Sequence, residues 1–191
     1  MRNSLKTLIP QLSFMLILLS GAFSFVHAQG VDTAQASILL KGDLQNHLLS
    51  KLGGKLGQVK VSERFTAGNS TIQIAARQVS SRLGTVDQIT IKITEAGKTQ
   101  LFSLTQSSDG KLSELRSGQL VAISGSNPLT CITQLFGSAS SCGTCKTKIL
   151  NCISQNSGFL ARARCIARSF DGSCISCGIS LFTVYNCLKG N

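Results

Sequence analysis

Two different periods run along this chain. Leu40, Leu44, Leu48 and Leu52 recur every four residues, which sets them on one face of a helix expected over about 34–52. Gly42 interrupts that run, and Gly53-Gly54 ends it in the manner of a C-cap. From Val59 onward the period falls to two. Val59, Val61 and Phe65 share one strand face, Ala67-Gly68-Asn69-Ser70 reads as a turn, and Ile72, Ile74 and Ala76 form the next face. Ile89, Ile91 and Ile93 alternate with Thr90, Lys92 and Thr94. The loop Glu95-Ala96-Gly97-Lys98 leads into Leu101-Phe102-Ser103-Leu104, and Asp109-Gly110 is the strongest turn signal in the chain. Weaker strands continue through Leu112, Leu115 and Leu120 to Ile123. One helix followed by an antiparallel meander predicts an α+β domain over 29–123, its helix covering one face of the sheet.

Beyond a small-residue break at Ser124-Gly125-Ser126-Asn127-Pro128 the pattern turns helical again. Cys142, Cys145 and Cys152 lie at steps of three and seven, on one helical face. Residues 160–169 contain few breakers and form a second expected helix, which carries Cys165. The last helix, 179–188, is apolar: Ile179, Leu181, Phe182, Val184, Tyr185 and Leu188. Turns are expected near Ser157-Gly158 and Asp171-Gly172-Ser173. Gly137-Ser138-Ala139-Ser140-Ser141 makes a second break, so 124–141 reads as a linker and 142–191 as a small disulfide-stapled α-helical C-terminal module.

The first 28 residues stand apart from both patterns. Arg2 and Lys6 precede an apolar run from Leu12 through Phe25, and Val26-His27-Ala28 has the small-residue form of a cleavage site. The stretch 1–28 therefore reads as a secretory signal peptide, which makes the mature chain an extracellular one. Export changes how the cysteines are read. All eight (Cys131, Cys142, Cys145, Cys152, Cys165, Cys174, Cys177 and Cys187) fall in the tail. In an oxidising compartment an even number implies disulfides, and eight allow 105 pairings that spacing does not resolve. Two other readings of the C-x2-C steps compete with structural bridges. Cys142-Gly143-Thr144-Cys145 has the form of a thioredoxin-type redox motif, but Pro10 and Pro128 both precede it and none follows to supply that fold's later cis-proline. The two C-x2-C steps also have the form of a four-cysteine zinc site, against which stand export and the four surplus cysteines.

Other chemistry is sparse. The mature chain has one histidine, His47, beside the leucine stripe, and neither paired carboxylates nor a nucleophile elbow. No enzymatic activity, metal or cofactor is expected. Asn69-Ser70-Thr71 is a glycosylation sequon at a hairpin tip, and Gly53-Gly54 also has the form of a double-glycine leader. Without the signal peptide, seventeen Lys and Arg stand against eight Asp and Glu, a charge of +9. The tail contributes +5 of this, with Lys146, Lys148, Arg162, Arg164, Arg168 and Lys189 against Asp171. Such a charge suits anionic membranes or envelope polymers. With no Trp and a single Tyr to stack bases, nucleic acid is not an expected partner. Lys146, Lys148, Arg162, Arg164 and Arg168 are the candidate membrane contacts, since basic residues beside an apolar helix favour anionic lipid.

The Cys142-Gly143-Thr144-Cys145-Lys146 opening, the third cysteine at Cys152, the turn at Ser157-Gly158 and the cysteine-punctuated apolar helices up to Cys187 resemble the halocin-like bacteriocins. The tail is more basic than that family's pattern, carries fewer cysteines and spaces them differently after Cys152. The resemblance implies a cysteine-dense helical peptide released from the C-terminal end of an exported precursor. It also implies that 29–123 is an immunity or holding domain, an intramolecular partner of the tail. The leading expectation is thus a secreted antimicrobial precursor, cut near 124–130 or 138–141, whose cationic peptide acts on the membranes of competing cells. The alternative is a non-toxic secreted binding or adhesion protein. Loosely tethered halves are expected of the precursor; extensive packing and one cooperative melt are expected of the alternative.

Overall fold

Residues 43–190 of the chain, positions 83, 126, 138 and 139 excepted, are described by a computed structural model. The signal-peptide stretch 1–28 and the first half of the expected leucine-striped helix, with Leu40, lie outside the described residues.

The period-two region forms an antiparallel sheet in simple meander order: β1 (Lys55–Ala67), β2 (Ser70–Ser81), β3 (Gly84–Glu95), β4 (Lys98–Ser107), β5 (Leu112–Arg116) and β6 (Gln119–Ala122). Three of the connections sit at the turns expected from sequence, at Ala67–Ser70, Glu95–Lys98 and Asp109-Gly110, while those between β2 and β3 and between β5 and β6 fall outside that expectation. Ala96 and Gly97 both adopt positive φ, 49° and 76°, the requirement of a tight two-residue connection between right-twisted strands. Ser117 and Gly118 repeat that geometry between β5 and β6 at 48° and 76°.

Alternation gives the sheet two unlike faces. Val61, Phe65, Ile72, Ile74, Ile89, Ile91, Ile93, Phe102 and Leu104 are all buried on one of them. Cross-strand register keeps them together, with Phe65 opposite Ile72, Ile72 opposite Ile93, and Ile91 opposite both Ile74 and Phe102. The other face holds Val79 and Val86 beside buried Gln88, Thr90 and Thr105. The helix α1 lies there: Asp43–Asn46, passing into a π-helical turn at His47–Lys51. Leu44 and Leu48 are 2% and 1% exposed and pack with Val79 and Val86, with Leu52, Leu115 and Leu120 around them. The leucine stripe thus covers one sheet face, as its spacing predicts.

The more apolar face is covered by the cysteine-bearing helices. These are α2 (Pro128–Phe136), α3 (Gly143–Gln155), α4 (Phe159–Ser169), α5 (Gly172–Ser176) and α6 (Leu181–Lys189), with a 3-10 turn at Ser140–Cys142 before α3. Ile132, Ile149, Ile153, Phe159, Ala163, Ile166, Leu181, Val184 and Tyr185 join the sheet residues in one continuous core. Tyr185 is fully buried, donates a 2.7 Å hydrogen bond to the Ala163 carbonyl and lies 6.4 Å from the Phe102 ring. The two halves are therefore packed against each other, and loose tethering, the arrangement expected of a precursor, is not what is found.

The stretch 124–141 is likewise more than a connector. Asn127-Pro128, read in sequence as a break, is a helix start. The Asn127 side chain accepts from the Leu129 N–H at 2.9 Å, and Pro128 occupies the first turn, where its missing N–H costs nothing. Ile132 and Phe136, one turn apart, are buried. Helix α2 packs with the cysteine-bearing helices and is joined to the last of them through Cys131–Cys187.

A shared core predicts shared stability. The chain contains one Tyr, buried among the helices, and no Trp, so tyrosine emission reports the module, while the low-frequency amide I infrared band of antiparallel strands reports the sheet. Ile91→Ala, in the sheet, is expected to cost about 2–5 kcal/mol and to shift both transitions together. A tyrosine transition that stays in place while the sheet signal moves shows that the halves unfold independently.

Candidate functional site: the interface between sheet and cysteine module

Four disulfides hold the module. Cys131–Cys187 joins α2 to α6, Cys152–Cys165 joins α3 to α4, Cys145–Cys174 joins α3 to α5, and Cys142–Cys177 joins the 3-10 turn to the end of α5. Their Cα atoms are 4.9–5.4 Å apart, within the span of a bridge. The two C-x2-C steps face each other and pair in nested fashion, so no described cysteine is free. An internal redox pair needs Cys142 bonded to Cys145, and a zinc thiolate set needs four unbonded sulfurs. All four sulfurs are instead committed to bridges between elements, which is chemistry that suits an oxidising compartment.

Above this framework the sheet contacts the module through its carboxylates. The sequence contains three glutamates, Glu63, Glu95 and Glu114. Each stands on the core-facing side of a strand, near its rim. Glu63 lies between Val61 and Phe65 and is opposite Ile74; Glu95 continues the series Ile89, Ile91, Ile93; Glu114 is opposite Leu104. Each meets a different part of the module. Glu63 takes a two-point contact from Arg164, with Nε to Oε2 at 2.9 Å and Nη2 to Oε1, and accepts from Arg168 Nη2 at 3.1 Å. Glu95 accepts from the Ser180 hydroxyl at 2.6 Å and from the Leu181 N–H at 3.2 Å, beside the α6 N-cap, where negative charge is stabilised. Glu114 accepts from Lys189 Nζ at 3.1 Å at the other end of α6. The Lys189 ammonium also lies 5.8 Å from the Phe102 ring centroid, and Arg168 sits at the same distance over Phe65.

The electrostatics follow from these contacts. Burial pushes the Glu114 carboxyl up, but its hydrogen bonds to Arg116 and Lys189 together outweigh burial and hold it below the ordinary carboxylate range. The Glu63 contact raises the Arg164 guanidinium further. Burial raises the Tyr185 phenol, so it remains a neutral donor.

The five residues expected to touch a membrane do not form one unengaged face. Arg164 and Arg168 come together, but at Glu63. Lys148 pairs with Asp171, whose carboxyl is held low by Lys148 and by Ser173. Arg162 Nε donates to the Asn156 carbonyl at 2.9 Å, and Lys146 Nζ to the Gly137 carbonyl at 3.1 Å. His47 lines an open cleft with Asp43, Ser50 and Ser103, away from the cysteine module. No family model, curated protein or solved structure matches the chain.

Sequence reading passed over the three glutamates. Their signal was parity: each falls in step with the apolar positions of its own strand, where an inward-pointing carboxylate demands a partner.

Two outcomes test this interface. Because the Glu114 carboxyl is lowered by folding, its stabilisation is complete above the unfolded carboxyl value, about pH 4, and is lost as pH falls through the lower folded value. Glu114→Gln is therefore expected to cost on the order of 1 kcal/mol at neutral pH and to flatten the acid limb of a stability-against-pH curve; an unchanged limb shows that Lys189 does not engage it. Glu63→Ala is expected to destabilise by about 1 kcal/mol, reduced from the buried-pair value because Arg164 and Arg168 are partly solvated. Denaturant titration with and without 0.5 M salt checks this, the deficit shrinking in salt.

Proposed function

We propose that the chain is a secreted, bacteriocin-like antimicrobial precursor in which the sheet domain keeps a cationic, disulfide-stapled helical peptide quiet. The observation that carries this reading is the contact of Arg164 and Arg168 with Glu63 above a shared apolar core. A peptide that acts on membranes does so through apolar surface and basic residues; in the intact chain the sheet covers the apolar face and engages Arg164 and Arg168, while Lys146, Lys148 and Arg162 are held by partners within the module. Extensive packing is the arrangement expected of the alternative rather than of the precursor, and it fits the precursor reading only in a form where the sheet silences the peptide by covering it. A holding domain on a loose tether leaves the membrane-active surface exposed to water and to the producing cell. Export through the stretch 1–28 supplies the oxidising compartment that four bridges need. Once free of the sheet, Arg164 and Arg168 lose Glu63 and become available to anionic headgroups, at about 1 kcal/mol per basic residue near the surface.

A second reading is favoured by the packing itself. One core running from sheet to helices suits a secreted binding or adhesion protein whose cysteine module is a permanent clamp.

The two part in culture supernatant. The precursor reading expects an oxidised C-terminal peptide, of mass reduced by eight hydrogens relative to its thiol form, that inhibits the growth of related cells while the intact chain does not. Intact chain as the sole secreted form, inert in the same assay, removes the precursor reading and leaves the second.

A further inference from the structure

The bridge Cys131–Cys187 constrains where such a precursor is cut. It connects α2, in the segment between sheet and module, to α6 at the far end of the chain, a separation of 56 residues. The other three bridges lie wholly within 142–177. Every peptide bond between Cys131 and Cys187 is therefore enclosed by Cys131–Cys187. Hydrolysis of one of them adds water and makes two chain ends, but the fragments stay joined through sulfur. A bond before Cys131 lies outside every disulfide loop.

We propose that the maturation cut falls N-terminal to Cys131, in the stretch that opens at Ser124 between β6 and α2, and that a cut in the second small-residue break after Gly137 yields a two-chain protein freed only by a thiol reductant. This rests on the precursor reading for its biological meaning. Ser124 and Gly125 are exposed and lie outside any helix or strand, whereas Pro128–Phe136 is helical, with its amides engaged from Cys131 onward. Freeing a fragment cut after Gly137 takes two electrons and two protons from a thiol reductant to turn Cys131–Cys187 into two thiols, a condition opposite to the one that forms the other three bridges. The released peptide accordingly includes α2 and all eight cysteines.

The test uses the full secreted chain in its oxidised form. The recognition sequence of a specific endopeptidase is inserted after Ser124 in one variant and after Gly137 in another. Each is cut to completion, denatured without reductant to dissolve the shared core, and run on a gel with intact-mass measurement. The variant cut after Ser124 is expected to separate completely into two species. The variant cut after Gly137 is expected to remain one species and to separate only after reduction, or without reduction once Cys131→Ser and Cys187→Ser are introduced together. Separation of the Gly137-cut protein without reductant overturns the proposal. A peptide that separates after the Ser124 cut but inhibits no growth leaves the bridge rule standing and counts against the precursor reading alone.

Discussion

The apolar face of the sheet is the constraint on which everything else rests. Ile74, Ile89, Ile91, Ile93 and Leu104 are wholly buried there. A face of that kind needs a second layer. The leucine-striped helix cannot provide it, because that helix lies on the opposite side with Val79 and Val86. The cysteine module fills the place, and it needs the sheet equally. A module of this size has too small a core to hold itself, so its order rests on four bridges, each worth about 2–4 kcal/mol, and on the wall that the sheet provides. Each half completes the other.

Charge then fixes how the layers meet. The apolar contact is not directional, and charge adds to side-chain packing a second constraint on how the helical layer sits on the sheet. Glu63, Glu95 and Glu114 supply that constraint because each takes a particular partner: the α4 guanidinium groups, the start of α6 and the end of α6. A carboxylate near the rim of a core has few alternatives once its partner is lost, which makes these pairings more specific than ordinary surface ion pairs. The region from Asp43 to Ile123 is itself basic, yet all of its glutamates are turned toward the module rather than toward its own lysines and arginines alone.

The bridges divide the labour within the module. The nested pairing of the two C-x2-C steps clamps the start of α3 to α5, Cys152–Cys165 closes the shortest loop, and Cys131–Cys187 brings the last helix of the module back to its first. The last of these carries the longest loop and so removes the most freedom from the unfolded chain. It also makes α2 part of the module, although a small-residue break separates Cys131 from the other seven cysteines in the sequence.

Much of this was legible in the sequence because it is local. Period two placed Ile89, Ile91 and Ile93 on one strand face, period four placed Leu44 and Leu48 on one helix face, and turn residues such as Ala96-Gly97 marked the hairpins. Those patterns come from backbone geometry within a few residues, so they survive without knowledge of the fold. The N-cap at Asn127 and the inward parity of Glu63 were equally local, and were there to be read. What only the tertiary structure decided was pairing: which of 105 connectivities the cysteines take, and which carboxylate meets which cation. It also decided that the module lies on the sheet instead of trailing from it. Partners such as Glu63 and Arg164, separated by 101 residues, are chosen by the shape and burial of the whole assembly, to which no short stretch of sequence has access.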